Sequence, residues 1–383
     1  MLAVYSVYFL NGQLDLALSA YDNALRIDQN YALALYNKGN LLKAQRKIDE
    51  ALHYYKAALE REPYFGDALT GWVTLLVGEN KIDIAEGLLE QILFLRPDFP
   101  DAWGAMGFVM QKRGNFDDAV NNYRRALELK SGSSEILNNL GTALQALDRI
   151  DEAEECYRSA IQKSSSSALA LNHLGTIMKL RGKLDDALEL FTAAININGT
   201  LSVARWHRST ILLMQGKFDQ GWDEYENRVS ATDYPIRQPN ITLWTGSSLK
   251  NKSILVYAEQ GIGDEIMFAS CFPDLINHAQ HVVIDCAKKL EATFARSFPG
   301  ATVRGASQLD SLEDLVEASG VDVAMPAGNL PFHFRKKWEE FPKHNGYITA
   351  DKNRIAFWGD RLAALGPGLK VGISWKGGAK KTF

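Results

Sequence analysis

Residues 115–126 read NFDDAVNNYRRA, and the chain returns to this pattern as RIDEAEECYRSA at 149–160 and KLDDALELFTAA at 183–194. Each of these segments begins 34 residues after the one before it. The shared positions are an aspartate, an alanine two residues later, an aromatic ring four residues after that alanine, and a second alanine. A fixed period of this length indicates a repeat architecture, in which each unit packs against its neighbours.

The same positions recur through most of the first two-thirds of the chain and suit helical hairpins. The aspartates follow turn-forming residues and precede apolar runs, so we expect them to cap the N-termini of the second helices. Small residues let antiparallel helices approach closely, and the rings are expected to fill the space between successive hairpins. The columns are Asp15, Asp49, Asp83, Asp117, Asp151, Asp185 and Asp219; Ala17, Ala51, Ala85, Ala119, Ala153 and Ala187; Tyr21, Tyr55, Tyr123, Tyr157, Phe191 and Tyr225; Ala24, Ala58, Ala126, Ala160 and Ala194; and Gly39, Gly107, Gly141 and Gly175.

These small and aromatic columns, with Pro63 and Pro97 ending second helices, resemble the tetratricopeptide-repeat (TPR) family. The resemblance covers about residues 1–230 and implies about seven helical hairpins. The first hairpin is expected to be incomplete, because the chain starts in the middle of a first helix. In the last unit Gly221 and Arg228 replace alanines, as expected where a solenoid stops stacking on itself and meets another structure.

Length and composition narrow the class of protein. A chain of 383 residues predicts two or three domains. A formal net charge of −4, with no run of like charges, argues against a nucleic-acid partner, and no apolar stretch is long enough to span a bilayer. The three cysteines, Cys156, Cys271 and Cys286, lie in apolar surroundings without metal-ligand spacing, so we expect buried free thiols and no metal. These features favour a soluble cytoplasmic protein.

After Tyr225 the period fails, and a segment with two prolines leads into a different pattern. Short β-rich runs alternate with helical stretches, which predicts a parallel sheet with crossover helices. We expect a helix at 351–365 after the sheet, and a last strand at 370–375. The expected strands of the sheet are 254–258, 281–285, 301–304, 321–325 and 347–349.

The segment SILVYAEQGIGDEIMFA at 253–269 predicts a buried strand, a tight glycine turn and a helix. Ligands of such sheets lie beyond the carboxyl ends of the strands, where Asp264 could accept a proton from an attacking hydroxyl. The alternative, which the spacing alone favours, is that Asp264 caps the helix. Glu259 and Gln260 have the same two interpretations, since they could hold the turn through side-chain to backbone bonds.

Five segments in order resemble the bacterial TPR-linked glycosyltransferases related to lipopolysaccharide heptosyltransferases. They are LWTGSSLKNKSILVYAEQGIGDEIMFA, LEATFARSFPGATV, GNLPFHF, GYITAD and VGISWKGG. The resemblance implies the GT-B architecture, in which two Rossmann-like domains face a cleft. The first domain binds mainly the acceptor, the second binds a nucleotide-sugar as donor substrate, and neither a metal nor a bound cofactor is required.

The resemblance also implies roles for individual residues. It places Asp264 at the position of the general base and gives the acceptor loop to Glu259, Gln260, Gly261 and Gly263. The start of a donor-diphosphate loop falls on Lys376, Gly377, Gly378, Lys380 and Lys381, although these lysines could equally be exposed charges on a ragged end. Only eight residues follow Trp375, so we expect the donor half to be missing and this chain by itself to be inactive.

The first helices of a TPR array line a concave groove that can hold an extended peptide. In the related O-linked N-acetylglucosamine transferase, asparagines one repeat apart grip the peptide backbone. Only two of the six matching positions here are asparagine, namely Asn37 and Asn139. The candidate groove contacts are Asn37, Asn139, Asn172, His173 and His207. Exposed residues without any binding role are the alternative.

The sequence thus predicts an α-solenoid of TPR helical hairpins followed by an α/β Rossmann-like domain, the N-terminal half of a GT-B fold. The expected function is a hexosyl- or heptosyl-type glycosyltransferase fragment whose array recruits a protein or glycan acceptor. The alternative is a non-catalytic TPR interaction scaffold with a degenerate transferase-like domain. The expected boundaries are 1–230 for the array, 231–252 for a linker, 253–350 for the first Rossmann-like domain, 351–368 for an interdomain helix and linker, and 369–383 for the first strand of the truncated second domain.

Overall fold

The computed structural model describes residues 14–231, 239–306, 311–343 and 346–369. The chain divides into two compact units, whose described parts are residues 14–181 and residues 182–369 with the gaps just given. The first unit consists of helical hairpins. Its described helices are α1 Leu14–Ile27, α2 Ala32–Ala44, α3 Ile48–Arg61, α4 Gly66–Gly78, α5 Ile82–Leu95, α6 Pro100–Arg113, α7 Phe116–Leu129, α8 Ser134–Ala146, α9 Ile150–Lys163 and α10 Ala168–Leu180.

Aromatic rings lie in slots that the glycine column leaves open. The Tyr55 side chain of α3 is 0% exposed and packs against helices α2 and α4. A Cβ atom built on Gly39 would lie 2.8 Å from Tyr55 Cε1, and one built on Gly71 would lie 3.1 Å from it. Tyr123 fills the same kind of slot against Gly107. The rings therefore pack between successive hairpins, which confirms this part of the sequence analysis.

The aspartate column does not cap the second helices, so that expectation was wrong. Helix α3 starts at Ile48 with Lys47 as its N-cap, and α7 starts at Phe116 with Asn115 as its N-cap; neither N-cap side chain makes a capping hydrogen bond. Each aspartate is the second residue of its helix and therefore lies in the first turn, where its negative charge suits the positive end of the helix dipole.

Some of these aspartates also contact the following first helix. Arg113, at the end of α6, pairs with Asp83 of α5. Thirty residues again separate the partners at Arg181 and Asp151, whose atoms Nη2 and Oδ1 are 2.5 Å apart. Because both aspartates are largely exposed, each pair adds little to stability.

The second unit begins with the last helical hairpins and continues into a sheet domain. Its described helices and strands are α11 Leu184–Ile197, α12 Ser202–Met214, α13 Phe218–Tyr225, α14 Arg228–Ala231, β1 Ser253–Tyr257, α15 Ile262–Phe268, α16 Phe272–His278, β2 His281–Ala287, α17 Glu291–Ser297, β3 Thr302–Ala306, α18 Leu312–Ser319, β4 Val323–Pro326, α19 Leu330–Phe334 and α20 Lys352–Ala363. Short 3-10 turns occupy Ala269–Cys271, Ala327–Asn329 and Trp338–Glu340.

The sheet is parallel, with strand order β3-β2-β1-β4. Ile254 and Val256 of β1 belong to the hydrophobic core on one face, while Leu255 and Tyr257 belong to the core on the other. A strand whose alternate side chains are buried on both faces is typical of an α/β domain. The segment before β1 lies along β4, where Trp244 N donates a hydrogen bond to Ala324 O at 2.8 Å.

The expected strand at 347–349 is not a strand. The Tyr347 hydroxyl donates to Ile266 O at 2.7 Å, and Thr349 N donates to Ser297 Oγ at 2.9 Å. Thr349 O in turn accepts from Arg296 Nε at 2.9 Å. Side chains and loop backbone therefore provide the hydrogen bonds of this segment, which a neighbouring strand would provide in a sheet.

Helix α20 follows this segment, within the stretch where the sequence predicts a helix. Asp351 caps it by accepting hydrogen bonds from Asn353 N and Arg354 N at 2.9 and 3.0 Å. The strand expected at 370–375 lies outside the described residues.

Candidate functional site

An open cavity of about 350 Å³ lies beyond the carboxyl ends of β1, β2 and β3. We call it the strand-end cavity. Ligands of parallel sheets bind at this edge, because the loops that follow the strands converge there. Its lining residues are Ala258, Gln260, Gly261, Ile262, Glu265, Cys286, Ala287, Lys288, Lys289 and Ala306.

Asp264 is partly exposed and stands at the third position of α15, next to the strand-end cavity but not in its lining. The N-cap of this helix is Gly261, whose carbonyl oxygen accepts hydrogen bonds from the backbone N–H groups of Asp264 and Glu265. Asp264 therefore does not cap the helix. A Cβ atom built on Gly261 would lie in ordinary contact with Asp264 Oδ2, at 3.5 Å, so the carboxylate lies next to the turn.

Glu259 is held by the last helical hairpin. Arg228, at the start of α14, donates from Nε to Glu259 Oε1 at 3.1 Å and from Nη2 to the same carboxylate. The two side chains are 3% and 4% exposed. Arg228 also donates to the backbone oxygen of Tyr225 and to Asn329 Oδ1. Glu259 is thus buried and bound by the Arg228 side chain rather than by the backbone of the turn.

Gln260 and Gly328 complete this contact. The Gln260 amide and the Tyr225 hydroxyl are hydrogen-bonded at 3.2 Å. Burial raises the pKa of the Tyr225 hydroxyl, and the negative charges of Asp264 and Glu259 add to the increase. A Cβ atom on Gly328 would lie 2.4 Å from Glu259 Oε1, so only glycine fits there. The turn after β1 therefore takes its position from the last hairpin.

A second set of contacts joins the same hairpin to the sheet domain. Trp222 Nε1 donates to the backbone oxygen of Arg335 at 3.1 Å, and the buried Arg335 guanidinium donates to Asp274 Oδ2 at 2.6 Å. The Phe218 ring stacks on Trp338 with ring centroids 5.9 Å apart. The place where Gly221 and Arg228 replace alanines is therefore where the array meets the sheet domain, as the sequence analysis expected.

Three charged residues of the strand-end cavity escaped the sequence analysis. Lys288 and Lys289 directly follow β2 and are exposed; Lys288 Nζ lies 2.6 Å from Glu291 Oε2. The buried Glu265 carboxylate accepts from Ala287 N at 2.9 Å and so fixes the end of β2. Two adjacent lysines shortly after the strand predicted at 281–285 were the signal that could have found these charged residues.

A second cavity, of about 300 Å³, lies on the first helices of three successive hairpins, α4, α6 and α8. We call it the repeat groove. It is open and has a mixed polar and apolar lining. The lining residues are Thr70, Val73, Thr74, Asp101, Gly104, Ala105, Phe108, Ser133, Glu135, Ile136 and Asn139.

The structure brings only some of the candidate groove contacts together. Asn139 lines the repeat groove. Beyond it, His173 Nδ1 lies 3.0 Å from Asn138 Oδ1, and burial lowers the pKa of the His173 imidazole to about 4. Asn172 is 2% exposed and therefore does not face an open groove.

The remaining candidates lie further along the helices or outside the described residues. Asn37 is partly buried on α2. His207 lies on α12, with its ring 5.3 Å from that of Phe191. The candidate donor-diphosphate residues, Lys376, Gly377, Gly378, Lys380 and Lys381, lie in the segment that the structure does not describe.

Metal sites and membrane spans are both missing from the described ranges. No group of three or more histidine, cysteine, aspartate or glutamate side chains in these ranges is placed to hold a metal ion. No helix among them is long and apolar enough to cross a membrane.

Comparison with protein-family models finds repeats in the helical part. Models described as tetratricopeptide repeat match residues 32–65, 98–166 and 132–199, and a model described as TPR repeat matches residues 6–45. Protein FlbA from Caulobacter vibrioides (strain ATCC 19089 / CIP 103742 / CB 15) is 30% identical over 175 residues. The match covers 41% of this chain and 28% of FlbA, so the chain spans less than a third of that relative's length.

Solved structures resemble part of this chain as well. The APC/C hetero-tetramer Cut9–Hcn1 has a TM-score of 0.50 at 15% identity, over 60% of this chain and 45% of that chain. A tetratricopeptide repeat protein from Parabacteroides merdae ATCC 43184 has a TM-score of 0.45 at 17% identity, over 61% of this chain and 92% of that chain. The Cut9–Hcn1 likeness shows a shared fold only. With the repeat matches, it shows that the helical part of this chain is a tetratricopeptide-repeat solenoid.

Proposed function

We propose that this chain is an interaction scaffold that holds a protein or peptide partner in the repeat groove. The observation that carries the proposal is the cavity itself, which runs across the first helices of three successive hairpins. An extended peptide is the ligand that suits such a surface, because it can contact several repeats at once.

The lining of the repeat groove supports a peptide ligand. Phe108 and Ile136 offer apolar contacts, while Thr70, Ser133 and Asn139 offer hydrogen bonds to a peptide backbone. A concave surface that combines apolar side chains with convergent polar groups is typical of ligand sites.

Filling the repeat groove tests this function. Gly104 lies in the lining of the groove, so Gly104→Leu would project a side chain into it. Gly87 lies within α5 and outside the groove lining, and a Cβ atom built on it would have no neighbouring atom within 4 Å, so Gly87→Leu is the matched control. Peptides selected from a random library on the wild-type chain should bind Gly87→Leu equally and lose at least tenfold in affinity for Gly104→Leu. Equal affinity for both variants would exclude the groove.

We propose as a second candidate that the sheet domain is the acceptor-binding, Rossmann-like half of a GT-B glycosyltransferase. The observation that favours it is the strand-end cavity beside the turn of residues 259–264. In this proposal a glycan or protein acceptor binds over the turn, and a nucleotide-sugar binds to a second domain. The transfer needs neither a metal nor a bound cofactor.

Asp264 would be the general base in this second candidate. Its carboxylate is partly exposed next to the strand-end cavity, where it would accept the proton of the acceptor hydroxyl as that oxygen attacks the sugar. The bond between the sugar and the nucleotide phosphate breaks at the same time, and the nucleotide leaves with its electron pair. The full-length protein should transfer or hydrolyse a nucleotide-sugar, and Asp264→Asn should lower the rate by about 100-fold or more. The exposed Asp314 in the first turn of α18 provides the control Asp314→Asn. Equal turnover by wild type and Asp264→Asn would remove Asp264 from the mechanism.

A further inference from the structure

Three acidic side chains mark the same position on successive first helices. Asp67, Asp101 and Glu135 are each 34 residues apart, and each is the second residue of its helix, in α4, α6 and α8 respectively. Asp101 and Glu135 line the repeat groove. The acidic column therefore follows the direction in which a peptide would cross the repeats.

These acids differ from those on the second helices. Asp83 and Asp151 pair with arginines, whereas among the described residues Asp67, Asp101 and Glu135 have no hydrogen bond or ion pair. Acidic residues at these positions are partly explained by the helix itself, because a negative charge in the first turn stabilises the helix. The Asp101 carboxylate rests on Gly66, where a Cβ atom would lie 2.6 Å from Oδ2, and it is partly exposed, while the Glu135 carboxylate is exposed with open acceptor sites in the groove.

The surroundings of the two lining acids suit a long basic side chain. Phe108 and Ile136 lie in the same groove and can cover the methylene stem of a lysine or arginine, while the carboxylates receive its charge. Gly104 and Ala105 keep the floor of the groove low. Even so, a Cβ atom on Gly104 would already lie 3.2 Å from Ile136 Cδ1.

The repeat geometry sets the spacing of the ligand's charges. Packed neighbouring helices lie about 10 Å apart. An extended peptide advances about 3.3 Å per residue. One basic side chain for each repeat therefore means about one in every three residues.

We propose that the repeat groove selects an extended peptide that carries lysine or arginine side chains about three residues apart. This inference rests on the proposed scaffold function and names the chemistry of its ligand. The partner is thus a basic, unfolded protein segment, and the acidic column determines its register on the array.

The test uses two labelled peptides of equal length, one with lysine at every third position between alanine, serine and leucine residues, and a twin with glutamine in place of lysine. Fluorescence anisotropy measures their affinity for the wild-type chain, Asp101→Asn, Glu135→Gln and the double variant. These substitutions keep side-chain size, and circular dichroism checks the fold. Asp118→Asn is the control, because Asp118 is an exposed first-turn acid of α7 outside the groove lining.

We expect the wild-type chain to prefer the lysine peptide. Each groove substitution should lower the affinity for that peptide by roughly two- to fivefold. Added salt should reduce the preference, and Asp118→Asn should bind like the wild type. Equal affinity for the two peptides, with loss of both in Gly104→Leu, would overturn the charge selection while the scaffold function stands. Failure of the wild type to bind the lysine peptide overturns the inference as well. If the wild-type chain bound no library-selected peptide, that result would contradict the scaffold function itself.

Discussion

The Arg228 guanidinium and the Glu259 carboxylate form an ion pair that is almost completely shielded from water. Arg228 belongs to the last helical hairpin, and Glu259 belongs to the turn after the first strand of the sheet. The pair therefore joins the end of the repeat array to the turn that leads into the helix of Asp264. Glu259 also touches Gly328, whose missing side chain makes room for the pair.

Removal of Arg228 should destabilise the second unit strongly. Arg228→Met leaves the Glu259 carboxylate buried without its cation, so we expect the free energy of unfolding to fall by about 3–5 kcal/mol. Urea denaturation measures the loss. Arg125→Met is the control, because the Arg125–Glu128 pair is well exposed and should cost less than about 1 kcal/mol. The double variant Arg228→Met/Glu259→Leu should recover much of the stability, and an unchanged single variant would show that the pair contributes nothing.

An alanine in place of Gly107 should displace the Tyr123 ring. In Gly107→Ala the new Cβ would lie 2.7 Å from Tyr123 Cδ1, so we expect a loss of about 1–3 kcal/mol. Gly87→Ala, with open space around it inside a helix, should instead stabilise the chain by about 0.5–1 kcal/mol. Thermal or urea denaturation distinguishes the two.

The chain itself supplies a compensating pair for this slot. One repeat before Gly107 and Tyr123 the same positions hold Val73 and Leu89, both buried. The double variant Gly107→Val/Tyr123→Leu should therefore be more stable than Gly107→Ala. A double variant that is less stable would mean that the slot depends on more than these two positions.

The His173 imidazole should make the free energy of unfolding depend on pH in the acidic range. Burial lowers its pKa in the folded chain to about 4, whereas an unfolded chain has the ordinary value near 6.5. Between these values the unfolded state binds more protons, so the free energy of unfolding should fall as the pH drops from about 6.5 to about 4, by roughly 1–3 kcal/mol. Denaturation at several pH values should show a shallower slope for His173→Gln. An identical slope in both proteins would assign the effect to other groups.

The cysteine thiols should react slowly while the chain is folded, although only Cys271 and Cys286 are buried as expected and Cys156 is partly exposed. Burial raises the pKa of Cys286 to about 12 and the pKa values of Cys156 and Cys271 to about 11, so little thiolate forms at neutral pH. A colourimetric thiol reagent should label the native chain slowly and all three cysteines at once after unfolding. Rapid labelling of the native chain would show that at least one thiol is accessible.

The repeat architecture could be predicted because its contacts recur at fixed spacing. The slot for Tyr55 needs a small residue at Gly39, sixteen positions earlier, and the same pair returns as Gly107 with Tyr123. A single sequence therefore contains several copies of the same packing rule. The role of the aspartates was harder to predict, since a first-turn position and an N-cap differ by only a residue or two.

Contacts that do not recur from repeat to repeat could not be predicted from the sequence. Arg228 and Glu259 are 31 residues apart and occur once, so only the substitution of an alanine by arginine hinted at a new environment. The short segment at 347–349 has the composition of a strand, but hydrogen bonds from Arg296 and to Ser297 take its backbone away from the sheet. Both outcomes depend on long-range partners that local patterns do not contain.

The thirty-residue step between paired charges such as Asp151 and Arg181 has an evolutionary consequence. Each ring slot and each of these charge pairs is completed within one unit and the next. A gene that duplicates or deletes one whole internal unit keeps the ring slots that lie within one hairpin, such as Gly107 with Tyr123, so the array can change its copy number without losing them. The final hairpin is different, because recombination that replaced Arg228 with the usual alanine would leave Glu259 without a counter-charge.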